Sequence, residues 1–168
     1  RDGELVRVGE SAGSVAVDVD TRGGPRRIEC RLFSNERKRF SIDGAGLSRS
    51  GELLGCLNVV MFAPEDLSLV KDGPAERRRF LDMAISQLRP SYYYTLQQYN
   101  NALRQRNALL KDPEGLDYDA LACWDEQLAG LGAAIILART ELMGRMGQIA
   151  AEQHETLSDG TETLLAAY

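Results

Sequence analysis

The chain is short of several features that would assign its class at once. No stretch approaches the ~20 consecutive apolar residues of a membrane span, and no apolar run follows Arg1-Asp2-Gly3-Glu4, so neither an anchor nor a secretory signal peptide is expected. Cysteine is scarce: Cys30, Cys56 and Cys123 are far apart and contain no CxxC pair. A zinc knuckle and a disulfide framework are therefore poor readings, and buried, reduced thiols of a cytosolic protein are expected. His154 is the single histidine. With no placed Ser, Cys or Asp beside it, it supports neither nucleophilic catalysis nor a metal centre, and it reads as an exposed helix residue. No Gly-Lys pair occurs. That removes the GxxxxGK[ST] loop, in which backbone N–H groups and the Lys cradle phosphate. Leu47-Ser48-Arg49-Ser50-Gly51 and Leu157-Ser158-Asp159-Gly160 only approximate the LSxGQ signature of ABC-type ATPases, and neither carries the Gln. The chain also lacks an initiator Met and stops inside the apolar run Thr163-Leu164-Leu165-Ala166-Ala167-Tyr168, so it is expected to be cut from something longer.

What is present belongs to a folded protein. Of 168 residues, 43% are hydrophobic and 27% charged, within the ordinary globular range and enough for one domain or two small lobes. The net charge of −5 argues against a basic coat but not against a local basic patch, because the field follows the distribution of charge. Of 20 basic residues only Lys38, Lys71 and Lys111 are lysine; the rest are Arg, whose planar fork suits phosphate and carboxylate.

The first ~60 residues read as β. Leu5–Val8 is a candidate strand. Val15–Asp20 places Val at alternate positions, and Arg27–Phe33 alternates with Ile28, Cys30 and Leu32 on one side. Arg37–Ile42 is a further strand, ending at the turn Asp43-Gly44. A short helix is expected over Gly51–Gly55. Cys56–Phe62 is a nearly continuous apolar run that suits a strand buried on both faces. Pro64-Glu65-Asp66 reads as a first helical turn.

From Pro74 the period becomes helical. One helix is expected over Pro74–Leu88 and a second from Ser91 as N-cap to Lys111, with Tyr92, Leu96, Tyr99, Leu103 and Leu110 on its apolar stripe. After a turn at Asp112–Gly115, a third is expected over Tyr118–Leu157. In it Leu121, Leu128, Ile135, Leu142 and Ile149 repeat every seven residues and Trp124, Leu131 and Ala138 fill a second seam. Gly144 and Gly147 predict a bend or fray, since each Gly costs about 1 kcal/mol in a helix. Tyr92-Tyr93-Tyr94 reads as core packing on the seam side, and Asp119, Asp125 and Glu126 as a solvated face. Thr161–Tyr168 is expected to start a strand.

Basic residues cluster at Arg22, Arg26, Arg27 and Arg31, at Arg37, Lys38 and Arg39, and at Arg77, Arg78 and Arg79. Acids on the Val-rich strand offer the first cluster ordinary cross-strand pairing. In the last cluster, successive helix residues point ~100° apart, so the three cannot hold one small anion together. The plain reading is a solvated helix face with internal partners such as Glu76 and Asp82; one arginine is expected to pack inward or pair with a carboxylate, while the others can reach phosphate.

The stretch Ala63–Asp82, "APEDLSLVKDGPAERRRFLD", closely resembles the signature block of the bacterial RecF family, PEDLxLVKGxPxxRRRFLD. "YNNALRQRNALLK" (Tyr99–Lys111) and "WDEQLAGLGAAII" (Trp124–Ile136) continue the resemblance, which spans essentially the whole chain. Lys71-Asp72-Gly73 departs from the commoner Lys-Gly-Ser. The resemblance implies an internal part of an SMC-like, ABC-type ATPase of DNA repair. The parent would bind ATP with Mg, dimerise, bind DNA in the cytoplasm and act with RecO and RecR in recombinase loading. Walker A, signature and Walker B would lie outside this piece, which is expected to have no catalytic residue, cofactor or ATPase activity of its own. The fold class implied is α+β: an antiparallel β lobe, part of the ATPase head, over residues 1–73, an inserted antiparallel coiled-coil-like helical arm over 74–158, and a return strand from 159–168. Arg77, Arg78, Arg79, Arg37, Lys38 and Arg39 are the expected DNA or dimer contacts, with Glu65 or Asp82 as ion-pair partner. The alternative is a non-enzymatic arm that binds RecR or another protein and touches no DNA.

Overall fold

The computed structural model describes residues 2–21, 23–111, 115 and 117–168. The chain divides into two compact units, Arg1–Val59 and Val60–Tyr168.

In the first unit, β1 (Ala12–Thr21), β2 (Gly24–Phe33), β3 (Arg39–Ile42) and β4 (Ala45–Gly46) form an antiparallel sheet in sequence order. The register pairs Val15 with Cys30, Val17 with Ile28, Ile28 with Ile42 and Cys30 with Phe40. Alternation thus gathers the apolar residues on one face, as the sequence pattern requires. Ile28 and Leu32 are buried, while Val15 on the edge strand is 65% exposed. Asp43 and Gly44 both have positive φ (52° and 81°), the backbone of a tight two-residue hairpin turn, so the Asp-Gly signal is read correctly. It closes a short β4 that the sequence pattern did not separate.

Four expectations for local structure are corrected. Leu5–Val8 is no strand; a 3-10 turn covers Asp2–Leu5 and Val6 is buried behind it. Cys56–Phe62 forms no strand and is not buried: Val60 is 98% and Phe62 90% exposed. A β-rich run needs a neighbouring strand to pair with, and this one is not among the four strands of the described sheet. Thr161–Tyr168 likewise has no strand pairing. The cysteines are not buried either, Cys30 and Cys56 being half-buried and Cys123 exposed.

The second unit is helical. After a 3-10 turn at Pro64–Leu67 come α1 (Ser68–Lys71), α2 (Pro74–Leu88), α3 (Pro90–Leu109) and α4 (Tyr118–Leu157). Proline opens α2 and α3 at the first helical positions, where its missing N–H costs nothing. Arg89, not Ser91, is therefore the N-cap of α3. Asp117 caps α4, accepting from the N–H groups of Asp119 (3.0 Å) and Ala120 (2.9 Å). Of the turn expected at Asp112–Gly115, the first three residues lie outside those described.

α3 and α4 pack along their lengths in opposite directions. Arg106 meets Asp125, Tyr99 lies against Gly132, and Arg89 meets Glu141, so numbering climbs on one helix as it falls on the other. The core gathers Leu81, Ile85, Tyr92 and Ile135, with Leu96, Tyr99, Ala138 and Leu142 packed against it. Of these, Ile135, Ala138 and Leu142 belong to the repeat read in α4, while Ile149, also in it, is 62% exposed. α4 passes through Gly144 and Gly147 without a break. By length and composition α4 would also cross a membrane, with a mean hydropathy of 1.3 over an 18-residue window. Its apolar residues are spread over both seams and two charged groups interrupt them, so no uninterrupted run announced it.

Beyond α4 the chain turns at Asp159 and Gly160, both at positive φ, and runs back beside the helix. Glu162 meets His154 (3.1 Å), Ala166 lies at Gly147, and Tyr168 reaches Arg139 (2.7 Å). A Cβ on Gly147 would stand 2.9 Å from the Ala166 carbonyl oxygen. This glycine thus serves close approach of two backbones rather than a bend.

Candidate nucleic-acid interface

The three consecutive arginines lie in the first turns of α2, where Pro74 sets the start and Leu81 and Ile85 fix which face is buried. All three are exposed, and the helix separates their directions. Arg77 turns back and donates to the carbonyls of Asp72 (2.9 Å) and Leu69 (3.4 Å). It thereby satisfies backbone acceptors left free at the end of α1. Arg79 makes a long contact of 3.5 Å with Glu76, its side chain remaining 71% exposed, a pairing worth little. Arg78 has no ion pair or hydrogen bond among the described residues and points its full charge into solvent.

Of the expected carboxylate partners Glu76 is the one near an arginine of the run, while Glu65 and Asp82 are not. Glu65 is exposed and makes no ion pair among the described residues; its neighbour Asp66 accepts from the Ala63 N–H (2.7 Å) instead. Asp82 is claimed from across the unit by Arg139 of α4, whose Nε and Nη2 reach its two carboxylate oxygens at 2.9 Å each. The Tyr92 hydroxyl donates to the same carboxylate at 2.5 Å. Asp82 sits one position from Leu81, on the inward side of α2, so it faces α4 rather than the arginine run. Burial and then the neighbouring Asp82 carboxylate hold the Tyr92 phenol well above its ordinary pKa. Arg139 is held in its charged form: burial opposes this, but the hydrogen bonds it donates to Asp82 and Tyr168 outweigh it.

Sequence reading missed Arg139, Arg89 and Glu141. Arg89 and Glu141 form a bidentate pair at 2.6 and 2.8 Å between the start of α3 and α4. The Arg89 hydrogen bond and charge, with Arg145 adding, hold the Glu141 carboxyl below its ordinary pKa. The available signal was a charge beside Ala138, inside the apolar stripe of α4; such a residue needs a partner on the facing helix. His154, expected exposed, is half-buried near Glu162.

In the first unit, Arg37, Lys38 and Arg39 border a shallow groove with Phe40, Gly46, Leu47, Ser48 and Asp2. Lys38 pairs with Asp2 at 3.1 Å and Arg39 with Glu36 at 2.8 Å, all of these side chains well exposed. Arg37 is exposed with no such partner among the described residues. Of the earlier cluster, Arg27 holds Asp18 across the β1–β2 ladder, as expected, and Arg26 holds Asp43 instead, each at 2.8 Å; Arg31 has no carboxylate partner among the described residues, and Arg22 lies outside them. The Arg27 backbone N–H and then Arg26 lower the Asp43 pKa. Of the two arginine-rich runs, Arg78 and Arg37 are the members without an ion pair or hydrogen bond among the described residues. An exposed guanidinium of this kind suits phosphate oxygens and carries no base-specific geometry.

No family model matches the chain. Among curated proteins it is 42% identical over 167 residues to the DNA replication and repair protein RecF of Alkaliphilus oremlandii, covering 99% of this chain and 46% of that protein. It is 39% identical over 173 residues to RecF of Acetivibrio thermocellus, covering 100% of this chain and 46% of that one. Among solved structures it superposes with TM-score 0.84 and 34% identity on the recombination mediator protein RecF-ATP in the RecFOR pathway, covering 93% of this chain and 43% of that one. The chain spans about half the length of the curated relatives it matches.

Proposed function

Because the chain is homologous over its whole length to the RecF proteins and fits a part of one, we propose that it is an internal portion of a RecF-type DNA-repair ATPase and contributes DNA contact. The observation that carries this reading is the identity of 39–42% over the whole chain. Arg78 and Arg37, exposed and without ion pairs among the described residues, supply the charge such a contact needs. In this reading residues 74–158 form a coiled-coil-like arm inserted into the first lobe of a cytoplasmic ATPase head. The exposed run Val59–Phe62 takes its place as a strand of that head. The parent binds ATP with Mg, dimerises on it, and acts with RecO and RecR. The relatives' structures were obtained with ATP and with an ATP analogue; the phosphate loop GxxxxGK[ST] does not occur in this chain, so no residue here is assigned to the nucleotide or the metal.

Fluorescence anisotropy with labelled duplex, single-stranded and gapped DNA tests the contact, across salt from about 50 to 200 mM. Counterion release makes phosphate binding fall steeply with salt, with a log–log slope of about −0.9 per phosphate on duplex. Arg78→Ala, folded by circular dichroism, is expected to weaken all sequences alike and flatten the duplex slope by about one. Binding without salt dependence, or none at low salt, refutes DNA contact by this portion. The second reading, a protein-binding arm, draws on Ile136 and Leu137 of α4, which are 55% and 71% exposed; salt-insensitive capture of RecR would favour it.

A further inference from the structure

The polar face of the sheet in the first unit carries two facing arginines, only one of which has a carboxylate partner among the described residues. Arg31 of β2 and Arg39 of β3 are register partners, so like charges stand directly opposite each other, an arrangement that weakens a sheet. Both guanidiniums nevertheless gather on one ring: the Arg39 Cζ lies 5.1 Å and the Arg31 Cζ 6.0 Å from the Phe33 centroid. Phe33 shares their face by strand alternation. Arg39 has one exposed carboxylate neighbour, Glu36. Arg31 is exposed and has no carboxylate partner among the described residues. Its other register partner is the small, exposed Ser14, which leaves the face open above it. Two opposed cations fixed on an aromatic ring want an anion that also offers flat faces.

We propose that Arg31, Phe33 and Arg39 form a platform for single-stranded nucleic acid. The guanidinium planes, positioned by the Phe33 ring, stack a base and donate N–H groups to the flanking phosphates. Duplex DNA presents the phosphates but keeps its base faces stacked, and an acidic peptide presents carboxylates without a planar partner. A single strand uses both halves of the cluster. The inference deepens the DNA-contact reading and rests on it. It assigns single-strand contact to the sheet rather than to the arginine run of α2.

The test measures anisotropy of the 168-residue chain with a labelled thymidine oligomer, an abasic oligomer of equal length and a duplex, each over a salt series. Phe33→Leu is expected to weaken binding of the thymidine oligomer by about 5- to 50-fold, the scale of one lost stacking contact, with little change on duplex or abasic strand. Phe33→Tyr restores it. Arg31→Ala flattens the single-strand log–log salt slope by about 0.7. If Phe33→Leu disturbs the sheet by circular dichroism, Arg31→Ala and the abasic oligomer carry the test. Equal affinity for abasic and thymidine strands, equal loss on duplex, or displacement of the thymidine oligomer by polyglutamate at matched charge overturns the proposal. Duplex binding that depends on Arg78 beside single-strand binding indifferent to Arg31 and Phe33 refutes this inference alone. Absence of binding to any DNA refutes it together with the reading on which it rests.

Discussion

Replacing Arg139 with Met tests what holds the helical unit together. Its side chain is 11% and that of Asp82 19% exposed. In place of two charge-assisted bonds to Asp82 and one to the Tyr168 hydroxyl, the variant leaves a largely buried carboxylate with only the Tyr92 hydroxyl. Breaking a buried pair from one side costs about 3–5 kcal/mol; residual exposure of Asp82 places this case at the lower end, about 3 kcal/mol. Asp82→Leu strands the guanidinium instead and should cost a similar amount. The double variant strands neither charge, so its loss should fall short of the summed single losses by about 2 kcal/mol or more. Urea unfolding followed by Trp124 fluorescence is the suitable assay, because the chain has one tryptophan and it lies on α4. A loss under about 1 kcal/mol for Arg139→Met, or additive losses in the double variant, would refute the claim that this pair organises the unit.

Two further outcomes follow from geometry and charge. Gly144→Ala should raise the stability of the helical unit by up to about 1 kcal/mol, since nothing lies within 4 Å of its added Cβ. Gly147→Ala, whose Cβ would meet the Ala166 carbonyl at 2.9 Å, should instead speed hydrogen exchange and proteolysis across residues 161–168. Equal behaviour of the two variants would contradict the close approach. Glu141 and Asp43 both have lowered pKa values. A carboxylate depressed in the folded state adds stability above its unfolded pKa of about 4 and loses it as pH falls through the folded value. Urea midpoints should therefore be level from about pH 7 to 5 and decline below about 4. Glu141→Gln should flatten part of the decline reported by Trp124, and an unchanged pH profile in that variant would count against the Arg89–Glu141 pairing.

The helices were legible because their signals are local. Pro74 and the apolar spacing of Leu81 and Ile85 define α2 to the residue, and the seven-residue repeat around Ile135 defines α4 and the side it buries. The hairpin turn was legible for the same reason, since Asp43-Gly44 tolerates positive φ where few pairs do. Cys56–Phe62 misled because apolar, β-branched content specifies burial only when another strand supplies the neighbour. The arginine run was conspicuous as a sequence, yet its three members have different fates: Arg77 caps α1, Arg79 leans toward Glu76 and Arg78 is free. A count of charges cannot separate them, because each is decided by what the helix rotation and the preceding turn place beside it.

The sequence by itself determined the helix spans, the strand alternation, the Asp-Gly turn and the kinship with RecF proteins, all of which depend on residues near one another in the chain or on long matched blocks. Only the tertiary structure decided that Asp82 belongs to Arg139 rather than to the neighbouring arginines, that Gly147 admits a returning backbone, and that Arg31 and Arg39 share the ring of Phe33. Those partners are 57, 19 and 8 residues apart at their widest, and a charge or a small residue takes its meaning from the side chain that packing brings against it.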